Sequence, residues 1–277
     1  MSKPLRLSLA IAAAEALPSA FVVFRGFEDS IRKARALGFD GVELALKHAD
    51  EIDPGLLSGW LNEEGMEISA ISTGQVYAET GFMFTDERPE ARKKIKEIFY
   101  ALIDLAADFG QLVNIGRARG QIGDRSRELA KGLFLDMLQD LCAYAGKKGV
   151  KLILEPVNRY EIDFINSVEE GVELIHEAGI SNFKLMPDVF HMNIEDRGIA
   201  SELIRHAEHI EYVHLADSNR LAPGQGHTDF QEIFDALQEM NYKGWLSLEI
   251  LPKPDPETAA QQGAEFLLPF IQSFNQP

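Results

Sequence analysis

Residues 151–161 read KLILEPVNRYE, in which a short apolar run stops at a glutamate and a proline. So short a run is typical of a buried strand, because a helix usually needs at least about 10 residues. We therefore predict a strand over Lys151–Glu155. The carboxylate of Glu155 then stands at the carboxyl end of that strand.

Similar short runs recur along the chain and alternate with helical patterns. Between them, apolar residues repeat every three or four positions, which predicts a helix after each strand. Clear examples are Phe27–Leu37, Ala91–Phe109 and Phe230–Met240. Several helical segments end in a glycine, the residue that most readily closes a helix: Gly38, Gly110, Gly149 and Gly179. The eight predicted strands are Leu5–Ala10, Gly41–Leu44, Ile68–Ser72, Leu112–Ile115, Lys151–Glu155, Phe183–Pro187, Tyr212–Leu215 and Leu246–Ile250.

The number and order of these units indicate the fold class. Eight strand–helix units without a linker rich in Pro, Gly or Ser favour a single (β/α)8 TIM barrel of the α/β class, with residues 1–277 as one domain. A doubly wound sheet of this length would normally add a second domain, and no glycine-rich phosphate loop follows the first strand. In a TIM barrel, the carboxyl ends of all strands meet at one mouth, where the functional side chains lie.

Charge and composition narrow the classes of partner. Lys and Arg number 27 and Asp and Glu 44, so the net charge of −17 opposes nucleic acid and anionic lipid as partners. No run reaches the roughly 18 apolar residues of a membrane-spanning helix. Leu7–Ala14 resembles the apolar part of a secretory signal, but Glu15 interrupts it and the stretch also predicts the first strand. The single cysteine, Cys142, cannot form an internal disulfide, and the cytoplasm is the predicted location.

The longest stretch without a regular pattern is Thr73–Glu90, after the third predicted strand. We predict an irregular loop there, on the side where barrel enzymes build their sites. Two interpretations stay open. The loop is either a lid over the substrate or a solvated segment that packs its aromatic side chains on the barrel rim.

Four predicted strands carry metal-ligating side chains at or near their carboxyl ends: Glu155, Asp188, His214 and Glu249. Carboxylates at the ends of apolar runs are costly unless they are paired or hold a cation, and several at one mouth would repel one another. Three carboxylates and one imidazole suit Mn²⁺, Mg²⁺, Co²⁺ or Zn²⁺. The alternative is a separate structural salt bridge for each acid, for example Glu155 with Arg159.

Longer motifs carry a resemblance to a known family. They are GFDGVEL at 38–44, LEPVNRYE at 154–161, DVFHMNIE at 188–195, VHLADSNR at 213–220, PGQGH at 223–227 and LEI at 248–250. Together they resemble the xylose-isomerase-like TIM-barrel superfamily, and within it the ketose 3-epimerase branch of the D-tagatose and D-psicose epimerases. The similarity spans essentially the whole chain. It implies a homo-oligomeric enzyme that acts on a small keto-sugar or a related polyol ketone.

The resemblance also implies roles for individual residues. One divalent ion, Mn²⁺ in the first place and Mg²⁺, Co²⁺ or Zn²⁺ as alternatives, would be bound by Glu155, Asp188, His214 and Glu249. The catalytic acid and base would be Glu155 and Glu249. Substrate oxygens would be contacted by Glu161, His191 and Arg220. Two segments depart from the family pattern, Ala216–Asn219 and Asn114–Gly120, so the identity of the substrate does not transfer.

Two further side chains are candidate substrate contacts. His227 follows the glycine-containing stretch 224–226, which can approach a ligand closely or can simply begin the next helix. Glu43 ends the second predicted strand. It is predicted either to hydrogen-bond a substrate hydroxyl or to form an ion pair inside the barrel rim.

These residues fit one type of chemistry. Removal of the proton on the carbon beside a carbonyl produces an enediolate, which a metal would stabilise. Return of a proton to the opposite face is epimerisation, and return to the former carbonyl carbon is aldose–ketose isomerisation. The alternatives are a keto-inositol (inosose) dehydratase or epimerase, a sugar-phosphate isomerase or epimerase, a noncatalytic sugar-binding barrel and, most remotely, an apurinic-site endonuclease. The endonuclease would need further histidine ligands after strands two to four, which the sequence does not offer.

An unphosphorylated substrate is favoured over a sugar phosphate. No glycine-rich helix start follows strands seven or eight, where barrels often bind phosphate. Arg25, Arg117 and Arg119 are the possible phosphate ligands. Their other interpretation is charge balance on the surface of an acidic protein.

Overall fold

The computed structural model describes residues 5–18 and 20–276. Eight parallel strands, β1 to β8, alternate with helices and confirm the predicted (β/α)8 barrel. Each strand lies within two residues of its predicted bounds at either end. The barrel strands are β1 (Arg6–Ala12), β2 (Gly41–Ala45), β3 (Glu67–Ser72), β4 (Leu112–Asn114), β5 (Lys151–Leu154), β6 (Phe183–Leu185), β7 (Tyr212–Leu215) and β8 (Trp245–Leu248). A further two-residue strand, Phe24–Arg25, pairs with β1.

Helices surround the strands. The helices of the described residues are α1 (Phe27–Ala36), α2 (Pro54–Glu64), α3 (Gly74–Thr80), α4 (Pro89–Asp108), α5 (Arg127–Gly146), α6 (Val168–Ala178), α7 (Val189–Glu195), α8 (Ile199–Arg205), α9 (Phe230–Glu239) and α10 (Pro256–Phe274). Their apolar faces cover the barrel, and Ile31, Phe99 and Leu141 are fully buried against it. None of the described helices has both the length and the apolar composition to span a membrane.

Strand pairing closes the barrel beside the predicted site. Neighbours pair in the order β6-β5-β4-β3-β2-β1-β8-β7. Two parallel bridges, Leu185 with Ile210 and Asp188 with His214, join β6 to β7. Across this seam the amide of His214 donates to the carbonyl of Pro187, with an N···O distance of 2.8 Å. The backbones of Asp188 and His214 are therefore fixed side by side.

The segment Thr73–Glu90 is more regular than predicted. Helix α3 occupies its first half, and Gly81 ends that helix in the left-handed region with φ of 68°. Gly74 and Gly81 suggested a loop, because glycine is a poor helix former. At both ends of this short helix, glycine instead occupies a boundary position, where its conformational freedom is useful.

Cys142 is a buried structural thiol. It lies on α5 with 2% of its surface exposed. Burial raises the pKa of the thiol to about 12. The reactive thiolate form is therefore suppressed at neutral pH.

The predicted helix-ending glycines all have positive φ, and two of them differ in their surroundings. Gly110 has φ of 79°, and a Cβ there would lie 2.8 Å from the carbonyl oxygen of Ile68. Gly149 has φ of 73° and has no heavy atom within 4 Å of the corresponding position. Glycine is required at position 110 because φ is positive and because a Cβ does not fit there. At position 149 it is required only because φ is positive.

We predict that Gly149→Ala lowers the free energy of unfolding by about 1 to 2 kcal/mol, the cost of a left-handed alanine. Gly110→Ala should cost clearly more, since β3 must also move to relieve the contact. Urea denaturation of both variants, followed by circular dichroism, measures the difference. Equal losses of stability in the two variants would contradict the steric account.

Candidate active site

Four side chains from four successive strands meet at the carboxyl-end mouth of the barrel. Glu155 directly follows β5, and Asp188 begins α7, where its Oδ1 accepts the amide of Phe190 at 2.9 Å. His214 lies inside β7, and Glu249 directly follows β8. Successive strands thus deliver one ligating group each, as the strand-end pattern of the sequence indicates.

The four groups are close enough to share one ion. Each offers one ligand atom, and these atoms all lie within 4.8 Å of one another. His214 Nδ1 is 3.4 Å from Glu155 Oε1 and 3.8 Å from Glu249 Oε2. We call Glu155, Asp188, His214 and Glu249 the ligand cluster.

Three polar atoms of the cluster have no hydrogen-bond partner in the described part of the chain. Glu155 Oε1, Asp188 Oδ2 and His214 Nδ1 are buried, and none has a hydrogen-bond partner among the described residues. A buried polar atom without a partner is costly, more so when it carries charge. Two carboxylate oxygens and one imidazole nitrogen that face one point are a donor set for a divalent cation. The residues present therefore fit a metal ion.

Burial separates the pKa values of the cluster's acids. Burial alone would raise the pKa of Glu155, but the adjacent imidazole of His214 holds it at about 2. Burial raises the pKa of Glu249 to about 8 and that of Asp188 to about 6, and the charge of Glu155 adds to both shifts. A cation that binds at neutral pH must therefore displace protons from the cluster, among them that of Glu249.

Arg220 connects the cluster to the substrate side of the cavity. Its guanidinium donates to Glu249 Oε2 at 2.7 Å and to Glu161 Oε1 at 3.0 Å. The ring of Phe21 lies against it, with the guanidinium carbon 3.7 Å from the ring centre. The structure therefore brings the predicted contacts Arg220 and Glu161 into one group with the cluster.

His191 is held as a hydrogen-bond donor beside the cluster. Its Nδ1 lies 2.7 Å from the side-chain nitrogen of Asn158, which can only donate, so Nδ1 accepts and Nε2 carries the proton. Nε2 lies 3.7 Å from Glu155 Oε1 and 3.8 Å from Asp188 Oδ2. Burial lowers the pKa of His191 to about 3, which keeps the ring neutral. Sequence reasoning missed Asn158, although it stands inside the motif LEPVNRYE.

Arg159 does not pair with Glu155, so that example of the salt-bridge alternative is wrong. The Arg159 guanidinium instead binds Glu195, with Nη2 2.7 Å from Oε2. Both residues lie outside the cavity. Glu155 therefore keeps its unpartnered oxygen for the cluster.

Glu43 lies behind the cluster instead of in the cavity. Its Oε2 accepts from His214 Nε2 at 2.8 Å and from the hydroxyl of Tyr212 at 2.9 Å. The side chain is 0% exposed, because β2 runs on to Ala45, which lines the cavity in its place. A substrate hydroxyl contact is therefore wrong for Glu43. The contact fixes the tautomer of His214 so that the lone pair of Nδ1 faces the cluster.

A buried polar layer supports Glu43. Ser69 Oγ and Ser8 Oγ lie 2.7 Å and 3.0 Å from the hydroxyl of Tyr212. These side chains come from β3, β1 and β7, and they are all 0% exposed. The layer joins four strands of the barrel directly beneath the ligand cluster.

His227 is not part of the cavity either. It is exposed, and its Nδ1 lies 2.8 Å from Ser218 Oγ. Its loop is organised by Asp217, whose carboxylate accepts the amides of Ser218, Gly224 and Thr228. Because this carboxylate holds the loop against β7, the histidine after the glycines points to solvent.

The cavity has two unlike halves. One half carries the ionisable groups Glu155, Glu161, Arg220 and Glu249 and the neutral ring of His191. The other half is built by the segments that follow β1 to β4, and its described lining residues are Ala20, Phe21, Val22, Ala45, Ser72, Gly74, Gln75, Ala78, Asn114, Gly116 and Arg117. A small molecule held at the cluster would extend into this second half.

Two of the three candidate phosphate ligands are engaged elsewhere. Arg25 donates to the carbonyls of Ala16 and Leu17. Arg119 is fully buried and donates to backbone carbonyls, among them that of Ile165 at 2.9 Å. Only Arg117 of the three lines the cavity.

Comparison with known proteins finds sugar epimerases among the relatives of this chain. An L-ribulose 3-epimerase of Methylomonas sp. (strain DH-1) is 29% identical over 227 residues, which is 81% of this chain and 78% of that protein. A D-psicose 3-epimerase of Enterocloster bolteae is 31% identical over 242 residues, 82% of this chain and 77% of that protein. A crystal structure of D-allulose 3-epimerase from Methylomonas sp. in complex with D-allulose superposes with a TM-score of 0.81 at 25% identity, covering 97% of this chain and 99% of that chain.

The family model described as xylose isomerase-like TIM barrel matches residues 31–270. The chain therefore belongs to the xylose isomerase-like TIM barrel family. It is an enzyme of the isomerase and epimerase class within that family.

Glu43 provides a test of the metal site that does not depend on turnover. We predict that Glu43→Gln weakens Mn²⁺ binding roughly 10- to 100-fold, because His214 loses the carboxylate that fixes its ring. Glu67→Gln, the same change on an exposed side chain at the start of β3, is the matched control and should bind as the wild type does. Electron paramagnetic resonance of free Mn²⁺ gives both dissociation constants. An unchanged constant in a folded Glu43→Gln protein would refute the role.

Proposed function

We propose that this enzyme is a metal-dependent epimerase of a keto-sugar or a related polyol ketone, with Mn²⁺ as its preferred ion. The observation that carries the proposal is the presence of two buried glutamates, Glu155 and Glu249, in one ligand cluster that opens into a cavity. A divalent cation held by this cluster would supply positive charge that lowers the cost of negative charge on the substrate's oxygens.

Glu155 and Glu249 are proposed to move the protons. They follow β5 and β8, which flank the two strands that carry Asp188 and His214. A ketose between them is therefore approached by carboxyl groups from two sides. One carboxylate removes the proton of C3, beside the carbonyl of a 2-ketose, and the other carboxyl group delivers a proton to the opposite face of that carbon. In the reverse direction the two residues exchange roles.

The other polar residues orient these groups and the substrate. Arg220 holds Glu249 in position through its 2.7 Å hydrogen bond and stays available to a substrate hydroxyl. The Nε2–H of His191, fixed by Asn158, is a donor for a substrate oxygen. The neutral state of His191 means that it donates a hydrogen bond without adding charge to the cavity.

Epimerisation is favoured over the other reactions that the same residues could perform. The relatives named above are 3-epimerases, and the chain shares up to 31% identity with them over most of both lengths. The net charge of −17 stays an argument against a nucleic-acid substrate. A two-arginine phosphate clamp is not supported, because Arg25 and Arg119 are bound to backbone carbonyls.

The test is exchange of the C3 proton of D-psicose and L-ribulose with deuterated solvent, measured by mass spectrometry. Wild-type enzyme with Mn²⁺ should incorporate deuterium and form the C3 epimer. Glu155→Gln and Glu249→Gln should each lower the rate of epimer formation at least roughly 100-fold, since each removes one proton-transfer group. Calorimetric titration of Mn²⁺ and of each sugar into the variants separates lost chemistry from lost binding.

The matched control is again Glu67→Gln, which makes the same change at an exposed site. It should epimerise at the wild-type rate. Exchange at the wild-type rate in Glu249→Gln would refute the assignment of that residue. Absence of exchange with every ketose tested, in wild-type enzyme loaded with metal, would refute the proposed function.

A further inference from the structure

Among the described cavity-lining residues that follow β1 to β4, one side chain is ionised, that of Arg117. The other residues of this set are small, apolar or uncharged, such as Ala20, Ala45 and Gln75. Arg117 follows β4 in the short turn Gly116–Arg119, and β4 lies on the far side of the barrel from β8, which carries Glu249. The cavity thus has a positive group at each of two separate places, the cluster side and the Arg117 side.

The guanidinium of Arg117 has no acceptor of its own. Within the described part of the chain, no carboxylate, carbonyl or hydroxyl pairs with it, and its nearest characterised contact is the Tyr77 ring, at 5.9 Å from the guanidinium carbon. Two other arginines nearby have acceptors: Arg119 donates to backbone carbonyls, and the terminal nitrogens of Arg220 donate to Glu161 and Glu249. Arg117 is half-buried, so water hydrates its guanidinium only in part.

An unpaired guanidinium in such a position is suited to an anionic ligand. It presents a planar set of donors that matches the two oxygens of a carboxylate or phosphate. The sequence alone allowed Arg117 to be a surface charge that balances an acidic protein. Its place in the cavity lining favours contact with a ligand over that interpretation.

We propose that Arg117 binds an anionic group of a substrate that is held at the ligand cluster. The substrate is then a keto-sugar acid or a keto-sugar phosphate, which share the charged oxygens that a guanidinium recognises. This inference rests on the proposed epimerase function, and it replaces the uncharged substrate that the sequence favoured.

Three ketoses with the same carbon skeleton test the proposal: D-fructose, D-fructuronate and D-fructose 6-phosphate. The wild-type enzyme should show a higher kcat/KM for at least one anion than for D-fructose, by roughly 10- to 100-fold, the range of a charge-assisted hydrogen bond. The anion with the higher kcat/KM shows whether Arg117 recognises a carboxylate or a phosphate. Arg117→Gln should abolish that preference mainly through KM, and it should change kcat/KM for D-fructose less than threefold (about 0.7 kcal/mol).

Two further variants serve as controls. Arg117→Lys retains the charge and should keep part of the preference for the anion. Arg35→Gln removes the same charge from an exposed position on α1 and should behave as wild type. Equal kcat/KM for the three sugars in wild type, or an equal loss for all three in Arg117→Gln, would overturn the proposal.

If the enzyme converts none of the three sugars, the proposed epimerase function is wrong for them. Binding measurements then still test the role of Arg117. The three compounds are then titrated calorimetrically into metal-loaded wild type and Arg117→Gln. Tighter binding of an anion in wild type that disappears in the variant supports the role of Arg117. Equal affinities in wild type, or a preference that survives in Arg117→Gln, overturn it.

Discussion

Three carboxylates and an imidazole lie within 4.8 Å of one another at the mouth of the barrel, where burial has removed most of their water. Such a group is stable only if protons or a cation offset the mutual repulsion. In the protein alone, burial first and the charge of Glu155 second raise the pKa values of Glu249 and Asp188. A divalent cation would relieve the repulsion and would also bring the substrate's oxygens next to both glutamates. One divalent cation would therefore both balance the charge of the buried cluster and serve the proposed chemistry.

The polar layer beneath the cluster gives this arrangement its rigidity. Barrel interiors are usually filled with branched apolar side chains, yet here Glu43, Tyr212, Ser69 and Ser8 hydrogen-bond across four strands. Such a buried hydrogen-bond network restricts its members to one arrangement, at the expense of apolar contacts. The layer leaves His214 one orientation, with Nδ1 toward the carboxylates. On the other side, Arg220 and the pair of Asn158 and His191 fix the groups that would meet the substrate.

The strands and the ligand cluster could be predicted because both depend on local sequence. Short apolar runs define the strands, and polar residues at their carboxyl ends must converge once the barrel closes. The positions of Glu43 and His227 depend on long-range features instead. The depth of Glu43 in the barrel is set by the register of β2 against its neighbours, and a sequence pattern gives only the face on which a side chain lies. The direction of His227 is set by amides that bind Asp217. Likewise, loop conformation decides that Arg119 binds backbone carbonyls and that Arg117 reaches the cavity. The charge of these residues does not reveal this.

The central claim is that one divalent cation joins Glu155, Asp188, His214 and Glu249 and that a ketose binds beside it. Crystals soaked with Mn²⁺ and D-psicose, measured for anomalous scattering above the manganese edge, test this directly. The account predicts one anomalous peak among the four ligand atoms, at about 2.0 to 2.5 Å from each, with sugar density extending from it into the cavity. An empty cluster at saturating Mn²⁺, or sugar bound away from the peak, would contradict it.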